Sequence, residues 1–529
     1  MTSENRSNTT ASGLLSLNDD CLLPIFKLLH PKKGLQPLSL TCRWMRERCA
    51  PLLFERSHAY AEKLGEPGCF PPESLWPYIR YLTFLGQFKP TGIQSLSGRP
   101  DRIREIRSRE DAFAHSLCSM PVLYSIVVRE DEDRGIPWSV LQIILSTPTL
   151  RVFSTPGRLF SQYEHPPAVP NFNPAPVTSF QYVPDFLRPY PRSSPSEIDA
   201  LALLLAQLSQ SLQNLTIPSE SAPFSLMNHY DWPHLEELCI QGDPENLWSS
   251  PIPLVSALSR MPHLRVLTLK LAFRRNESPR PIWPADHDMT TIPWLHLESL
   301  TISWPNPQDR IFEHLPRTLR HLSLGCWPRL YHMRGMRRAL VKNRLPWAHG
   351  APSWATVLDA LRMCSGTTAL QSLSLEYNAS WDLEDVELLR FIPTAFPHLQ
   401  TLQIMRYSNP AGASPATVEA ISTMMSCLHE LRVARFYLDF KYRDFGRGRG
   451  WRGPSGTHID MESLEAAATT LLRNPGPTLE RLYFLQNDSV WRVHHLNRAP
   501  DGRVDVQVTR ETGFEEDGPY DYLSNHRVI

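Results

Sequence analysis

A short pattern of apolar positions, Leu-x-x-Leu-x-Leu, recurs along most of the chain. Clear copies occupy 264–269, 370–375 and 399–404, and degenerate copies extend the series to thirteen. Alternating apolar positions are typical of a strand with one buried face, and a recurring unit predicts a repeat architecture. The copies begin at residues 79, 123, 150, 177, 212, 235, 264, 297, 319, 370, 399, 428 and 479.

Amphipathic stretches that end in Pro-His or a similar break precede several copies, including those at 264, 399 and 428. They predict helices, so the repeated unit is a helix, a turn and a strand. Units of this kind predict an irregular leucine-rich-repeat-like solenoid over 75–485, with parallel strands inside and helices outside. Four insertions are predicted to be loops: 157–176, 271–290, 327–352 and 436–457.

The two ends of the chain differ from the repeats. Residues 1–12 are small and polar, and we expect them to be disordered. Alternating runs on either side of an Ala-Pro-Asp-Gly turn predict a hairpin over 488–510 that caps the open edge of the sheet. Residues 511–529 then form a tail.

The first sixty residues are predicted to form a small helical unit. One short helix begins near Asn18 and is apolar almost all round. In a second helix, ended at Ala50-Pro51, one face is formed by Leu38, Cys42, Met45 and Cys49. A unit this small has a core too small to be stable by itself, so we expect contact with a partner to stabilise it.

Residues 14–56 resemble the F-box family. Leu17-Asn18-Asp19-Asp20 stands for the Leu-Pro-x-Glu-like start of the family pattern, with Asn18 in place of the usual proline. Leu35, Leu38 and Leu40-Thr41-Cys42-Arg43-Trp44 stand for its second half, and Pro51-Leu52-Leu53-Phe54 for its exit. Together with the repeats, the chain is similar to the fungal-type F-box proteins with divergent leucine-rich repeats.

That resemblance implies an α/β fold in which a three-helix F-box precedes the solenoid. It implies a non-catalytic substrate-recognition subunit of an SCF-type cullin ubiquitin ligase, bound through a Skp-type adaptor to the cullin and through the solenoid to a protein substrate. The adaptor contacts that it implies are Leu17, Leu22, Ile25, Phe26, Leu35, Leu38 and Trp44.

Substrate contacts are predicted from the strand pattern. The residue between the last two apolar positions of each copy should face the inner, concave surface. These residues are mostly small and polar, and they become larger and charged toward the C-terminal end. The predicted substrate contacts are Gln403, Arg406, Arg432, Arg435 and Tyr483.

Composition narrows the function classes. The 54 basic and 54 acidic residues cancel, which gives no general attraction to nucleic acid or anionic lipid. The nine cysteines are scattered without a close pair, and common nucleotide-binding and hydrolase motifs are missing, so we expect no enzyme activity, metal or cofactor. With neither a secretory signal nor a long apolar run, a cytoplasmic or nuclear protein that contacts no membrane is expected.

Three alternatives stay open at this point. The F-box could serve a Skp complex without a cullin, or the chain could be a leucine-rich-repeat scaffold without a ligase role. Aromatic, arginine and glycine residues alternate over 435–456, a pattern that can bind single-stranded RNA, although the zero net charge of the chain argues against nucleic acid as a partner. A basic insertion that includes Arg329 and Arg334 could clamp an acidic or phosphorylated substrate or be a solvated loop.

Overall fold

The computed structural model describes residues 17–29, 31–66, 68–88, 100–129, 134–161, 173–183, 195–244, 247, 249–273, 278–329, 350–379, 381–408, 413–440, 442–443, 458–459, 461–487, 490–499 and 503–512. The N-terminal segment 1–12, predicted to be disordered, lies outside these residues, as does nearly all of the tail. The chain divides into two compact units, residues 1–161 with 172–175, and residues 162–171 with 176–529.

The first unit begins with helices and continues into a parallel sheet. Its strands pair in chain order, each parallel to the next. The helices are α1 (Asp19–Lys27), α2 (Gln36–Ser39), α3 (Arg43–Leu53), α4 (Pro100–Cys118) and α5 (Trp138–Leu145). The strands are β1 (Arg56–Tyr60), β2 (Tyr81–Leu85), β3 (Ser125–Arg129) and β4 (Val152–Thr155).

The helices at the start of this unit differ from the prediction in one respect. Asn18 caps α1 as expected, since its side-chain oxygen accepts from the Cys21 N–H at 3.0 Å. The predicted second helix is broken, because Cys42 is extended and its sulfur caps α3 by accepting from the Met45 N–H. Cys42 is therefore exposed and does not lie on the buried face with Met45, and α3 continues past Pro51 to Leu53.

The second unit is a longer succession of parallel strands. Its strands from β5 to β13 and then β16 pair in chain order, and β17 and β18 follow as antiparallel neighbours. The strands are β5 (Ser179–Tyr182), β6 (Asn214–Pro218), β7 (Glu237–Gly242), β8 (Val266–Leu271), β9 (Ser299–Ser303), β10 (His321–Gly325), β11 (Ser372–Ala379), β12 (Thr401–Ser408), β13 (Val433–Tyr437), β14 (Tyr442–Arg443), β15 (His458–Ile459), β16 (Arg481–Asn487), β17 (Val490–Arg498) and β18 (Val504–Thr512).

Helices connect many of these strands. In the C-terminal half, α9, α10, α11 and α12 precede β11, β12, β13 and β16 respectively, and successive helices pack side by side. The helices of this unit are α6 (Pro195–Leu208), α7 (Phe224–Met227), α8 (Leu254–Ala257), α9 (Trp354–Met363), α10 (Val386–Ala395), α11 (Pro415–Ser426) and α12 (Met461–Leu471). The prediction of an α/β fold built on parallel strands is confirmed.

The recurring leucine pattern explains the strand register. In the copy at 264–269, Leu264, Leu267 and Leu269 are fully buried, and the strand begins two residues after Leu264. The second position joins neighbouring units through the backbone, because the Arg265 N–H donates to the Glu236 carbonyl and the Arg265 carbonyl accepts from Glu298, both at 2.8 Å. Twelve of the thirteen predicted copies have this two-residue offset.

The exception is the copy predicted at 428–433, which was placed three residues too early. β13 begins at Val433, and the apolar pattern of this unit starts at Leu431, whose N–H donates to the Leu428 carbonyl in a turn. Leu428 and Leu431 are both buried, so the sequence offers two equally good starts. The shift moves Arg432 to the second position and leaves Arg435 facing outward.

Several predicted loops are shorter in the structure. β8 extends to Leu271, and β13 and β14 occupy parts of the predicted loop at 436–457, whereas β15, the antiparallel partner of β14, follows directly after it. The described parts of 157–176 and 278–290 contain no helix or strand. Most of 327–352 lies outside the described residues. Antiparallel strands β17 and β18 stand where a hairpin was predicted, and β1 had no counterpart among the predicted strands.

Candidate functional site

Three of the predicted adaptor contacts form the internal core of the N-terminal helices. Leu22, Phe26 and Leu35 are buried and pack with Met45 and Cys49. In this position they hold α1, α2 and α3 together and are out of reach of another protein. Their predicted role as direct contacts therefore does not fit the structure, because a side chain buried inside the unit has no surface to offer.

The remaining four predicted contacts are accessible to different degrees. Leu17 and Ile25 are exposed, whereas Leu38 and Trp44 are half-buried against the helical core. The Arg48 guanidinium lies 5.5 Å from the centre of the Trp44 ring, which adds a cation–π contact on the outer side of α3.

Further apolar side chains in α1 and just after α1 and α2 face solvent. Leu28 and Leu40 expose 87% and 69% of their surface, and Leu23 is also exposed. We call Leu17, Leu23, Ile25, Leu28 and Leu40 the outer apolar set. Its members lie within 24 residues of sequence around a core that is already filled. Exposed apolar side chains of this size make the segment a candidate for binding another protein.

The structure brings three predicted substrate contacts together on the face of the sheet opposite the buried leucines. Gln403, Arg435 and Tyr483 are direct neighbours across β12, β13 and β16. The Arg435 guanidinium lies 5.3 Å from the centre of the Tyr483 ring. Gln403 and Arg435 are half-buried and Tyr483 is buried, so Arg435 covers the ring and is itself the more accessible group.

Arg432 lies elsewhere. As the second residue of its unit, it is exposed and 4.0 Å from the Glu480 carboxylate. Equivalent positions of neighbouring units form similar exposed pairs, such as Arg265 with Glu298 at 2.8 Å. Arg432 belongs to this series of surface ion pairs and not to the column of Gln403 and Arg435.

Arg406 is fully buried, which does not fit its predicted role as a substrate contact. Its Nε and Nη2 donate to the Asp385 carboxylate at 2.9 and 3.1 Å, and the Tyr377 hydroxyl donates to the same carboxylate at 2.7 Å. Burial and the Asp385 charge raise the pKa of Tyr377 well above its usual value. Burial opposes the charge of Arg406, but Asp385 outweighs that effect and raises the pKa of the guanidinium. We call these three residues the buried ion-pair cluster.

A second buried network lies beside the first. The Glu376 carboxylate accepts from the Arg329 Nη1 at 3.0 Å and from the Tyr407 hydroxyl at 2.7 Å. Burial, followed by the charge of Glu376, raises the pKa of Tyr407 well above its usual value. Arg329 is therefore a buried structural partner of Glu376, and it is available neither to clamp a substrate nor to solvent. Arg334 and the rest of the basic insertion lie outside the described residues.

A loop between β11 and α10 exposes two large apolar side chains that the sequence analysis missed. Trp381 exposes 76% of its surface, and Leu383 is exposed with a φ of 58°, a left-handed conformation that disfavours residues other than glycine. The signal in the sequence that could have indicated this loop is a tryptophan within a polar, acidic segment. We call residues 381–385 the tryptophan loop.

The tryptophan loop is fixed by hydrogen bonds from neighbouring elements. The Trp381 carbonyl accepts from Arg406 Nη2 at 3.3 Å, and the Asp382 carboxylate accepts from the hydroxyls of Ser414, at 2.5 Å, and Thr417. Burial raises the pKa of Asp382, but these hydroxyls outweigh it and the pKa is lowered overall. These bonds fix the backbone of the loop at Trp381, whose indole faces solvent.

The segment considered for RNA binding is described only in part. Arg435 is engaged with the Tyr483 ring, and Tyr437 is buried with its hydroxyl donating to Asp439 at 3.2 Å. The arginine- and glycine-rich remainder lies outside the described residues.

Three further observations concern the described part of the chain. It contains no cluster of three or more His, Cys, Asp or Glu side chains placed to hold a metal ion. None of its helices has the length and apolar character needed to cross a membrane. All nine cysteines are unbridged.

Comparison with solved structures finds likenesses in fold, whereas the sequence comparisons find none. No protein-family model matches the chain, and no curated protein matches it in sequence. The chain is similar to a solved structure described as the crystal structure of the Rad7 and Elc1 complex in yeast, with a TM-score of 0.34 and 13% identity. The match covers 82% of this chain and 91% of the other. Two chains this distant need not share a function.

Proposed function

We propose that the chain is a substrate-recognition subunit of an SCF-type cullin ubiquitin ligase. In this account α1, α2 and α3 bind a Skp-type adaptor, and the second unit binds a protein substrate. The observation that supports adaptor binding most strongly is the outer apolar set, which surrounds a helical core that Leu22, Phe26 and Leu35 already fill. Leu28 and Leu40 expose the largest fractions of this set, and a partner would remove that apolar surface from water.

The energetics favour coverage by a partner. Burying one leucine side chain contributes about 1.5–3 kcal/mol. The outer apolar set includes Leu28 and Leu40, which are mostly exposed and therefore gain nearly the full amount on binding. A specific protein interface of about 1,600 Å² in total is large enough to cover several such side chains.

Substrate binding is proposed on the outward face of the second unit and at the tryptophan loop. Gln403 and Arg435 present hydrogen-bond donors beside a covered aromatic ring. Trp381 is the kind of side chain that dominates binding energy at protein interfaces. Because Arg406 and Asp382 hold the loop in place, little conformational entropy is lost when a substrate covers the indole. The chain itself supplies no chemistry in this proposal, and the ligase acts on the substrate through proximity.

Hydrogen exchange of the full chain tests where the adaptor binds. With a saturating amount of purified Skp-type adaptor, amides within residues 19–40 should exchange more slowly, because this segment contains most of the outer apolar set. The amides of β5 to β13 should exchange at an unchanged rate and serve as the internal control. Slower exchange only in the second unit would contradict the assignment of the adaptor site.

A further inference from the structure

A groove lies between α10 and α11 on the helical side of the second unit. It has a volume of about 460 Å³, within the range of roughly 300–1,000 Å³ typical of binding pockets. Leu389 and Met424 form its buried floor, and Val386, Pro393 and Ala420 form its half-buried walls. The gap exists partly because Ala420 contributes only a methyl group where a longer side chain would fill the space.

The rim of the groove is polar and has one positive charge. Arg390, Thr394, Thr423 and Cys427 line it and are exposed. Arg362, on the neighbouring helix α9, is paired with Asp359 and Glu387. In the described part of the chain, Arg390 has no carboxylate within ion-pair distance.

We propose that this groove binds an amphipathic helix of a partner protein, with an acidic residue of that helix paired to Arg390. The apolar floor and walls fit side chains spaced at i, i+3 and i+4 along one face of such a helix. The half-buried walls, Val386, Pro393 and Ala420, offer these side chains the accessible apolar surface. The carboxylate of the partner helix supplies the negatively charged partner that Arg390 lacks among the described residues.

An extended peptide is a poorer occupant for a physical reason. A strand binds by pairing its backbone with an exposed sheet edge. Both walls of the groove are helices, whose backbone groups are bonded within each helix. A helical ligand satisfies its own backbone and needs only side-chain contacts. This proposal does not depend on the adaptor site, so its test is separate from the test of the ligase proposal.

Two matched peptides test the proposal on the full chain. Both are fluorescently labelled amphipathic helices of about 18 residues, with leucine and alanine on one face; one has glutamates flanking that face and the other has lysines. Fluorescence anisotropy should show that the glutamate peptide binds at least about tenfold more tightly than the lysine peptide. Arg390→Glu should reverse that preference, and Arg362→Glu, outside the groove, should leave it unchanged.

Groove-filling variants complete the test. Ala420→Trp should weaken binding of the glutamate peptide by about tenfold or more, because the indole occupies the groove. Thr423→Trp, on the exposed rim, is the second variant in case Ala420→Trp fails to fold. Binding that neither tryptophan nor Arg390→Glu alters would overturn the proposal. So would the absence of binding by either peptide to wild-type protein that unfolds cooperatively.

Discussion

Replacing Arg406 with alanine should lower the free energy of unfolding by about 3–5 kcal/mol. The substitution leaves the Asp385 carboxylate fully buried without its cation, while the Tyr377 hydroxyl alone continues to donate to it. It also frees the Trp381 carbonyl. Urea unfolding followed by far-UV circular dichroism measures the loss.

Arg432→Ala is the matched control, because both arginines were predicted from sequence to be substrate contacts. Arg432 is exposed and its pair with Glu480 spans 4.0 Å, so its removal should cost no more than about 0.5 kcal/mol. Combining Arg406→Met with Asp385→Leu removes both charges and should restore part of the stability lost in Arg406→Ala. Equal effects of Arg406→Ala and Arg432→Ala would contradict the buried ion-pair cluster.

Leu28→Asp and Leu40→Asp should each weaken binding to a Skp-type adaptor by at least about tenfold, since each removes about 1.5–3 kcal/mol of apolar burial. Neither side chain contributes to the core that Leu22 and Phe26 form. The free energy of unfolding should therefore change by less than about 0.5 kcal/mol. Isothermal titration calorimetry with the full chain measures the affinity.

Two further variants separate a lost interface from a lost fold. Leu295→Asp makes the same change at an exposed leucine of the second unit and should leave adaptor affinity unaltered. Leu22→Asp buries a charge in the helical core and should abolish binding by unfolding the helices. An affinity that is unchanged in both Leu28→Asp and Leu40→Asp would place the adaptor on another part of the chain.

The sequence was most informative about the strands. Leucines that alternate and recur predicted where twelve units begin, because the buried face of each strand accepts few other side chains. β1 had no such signal, since its buried positions are Ser57 and Ala59. At β13 two leucines three residues apart competed for the same role, and only the pairing with β12 decided between them.

The candidate sites were less predictable, because they depend on which side of an element is covered. Arg406 follows the leucine pattern by two residues, and nothing local indicates that β12 continues there with a buried carboxylate beside it. Likewise, Phe26 and Ile25 are adjacent apolar residues of α1, yet one is in the core and the other is exposed. Which of the two is buried depends on where α2 and α3 pack against α1, and the sequence of α1 alone does not specify that packing.

Co-elution of the full chain with a purified Skp-type adaptor tests the central claim most directly. Size-exclusion chromatography with light scattering should give one species whose mass is the sum of one copy of each protein. Separate elution of the two folded proteins at concentrations of about 10 μM, well above the dissociation constants of specific protein complexes, would contradict the ligase account and leave a repeat protein whose N-terminal helices bind some other partner.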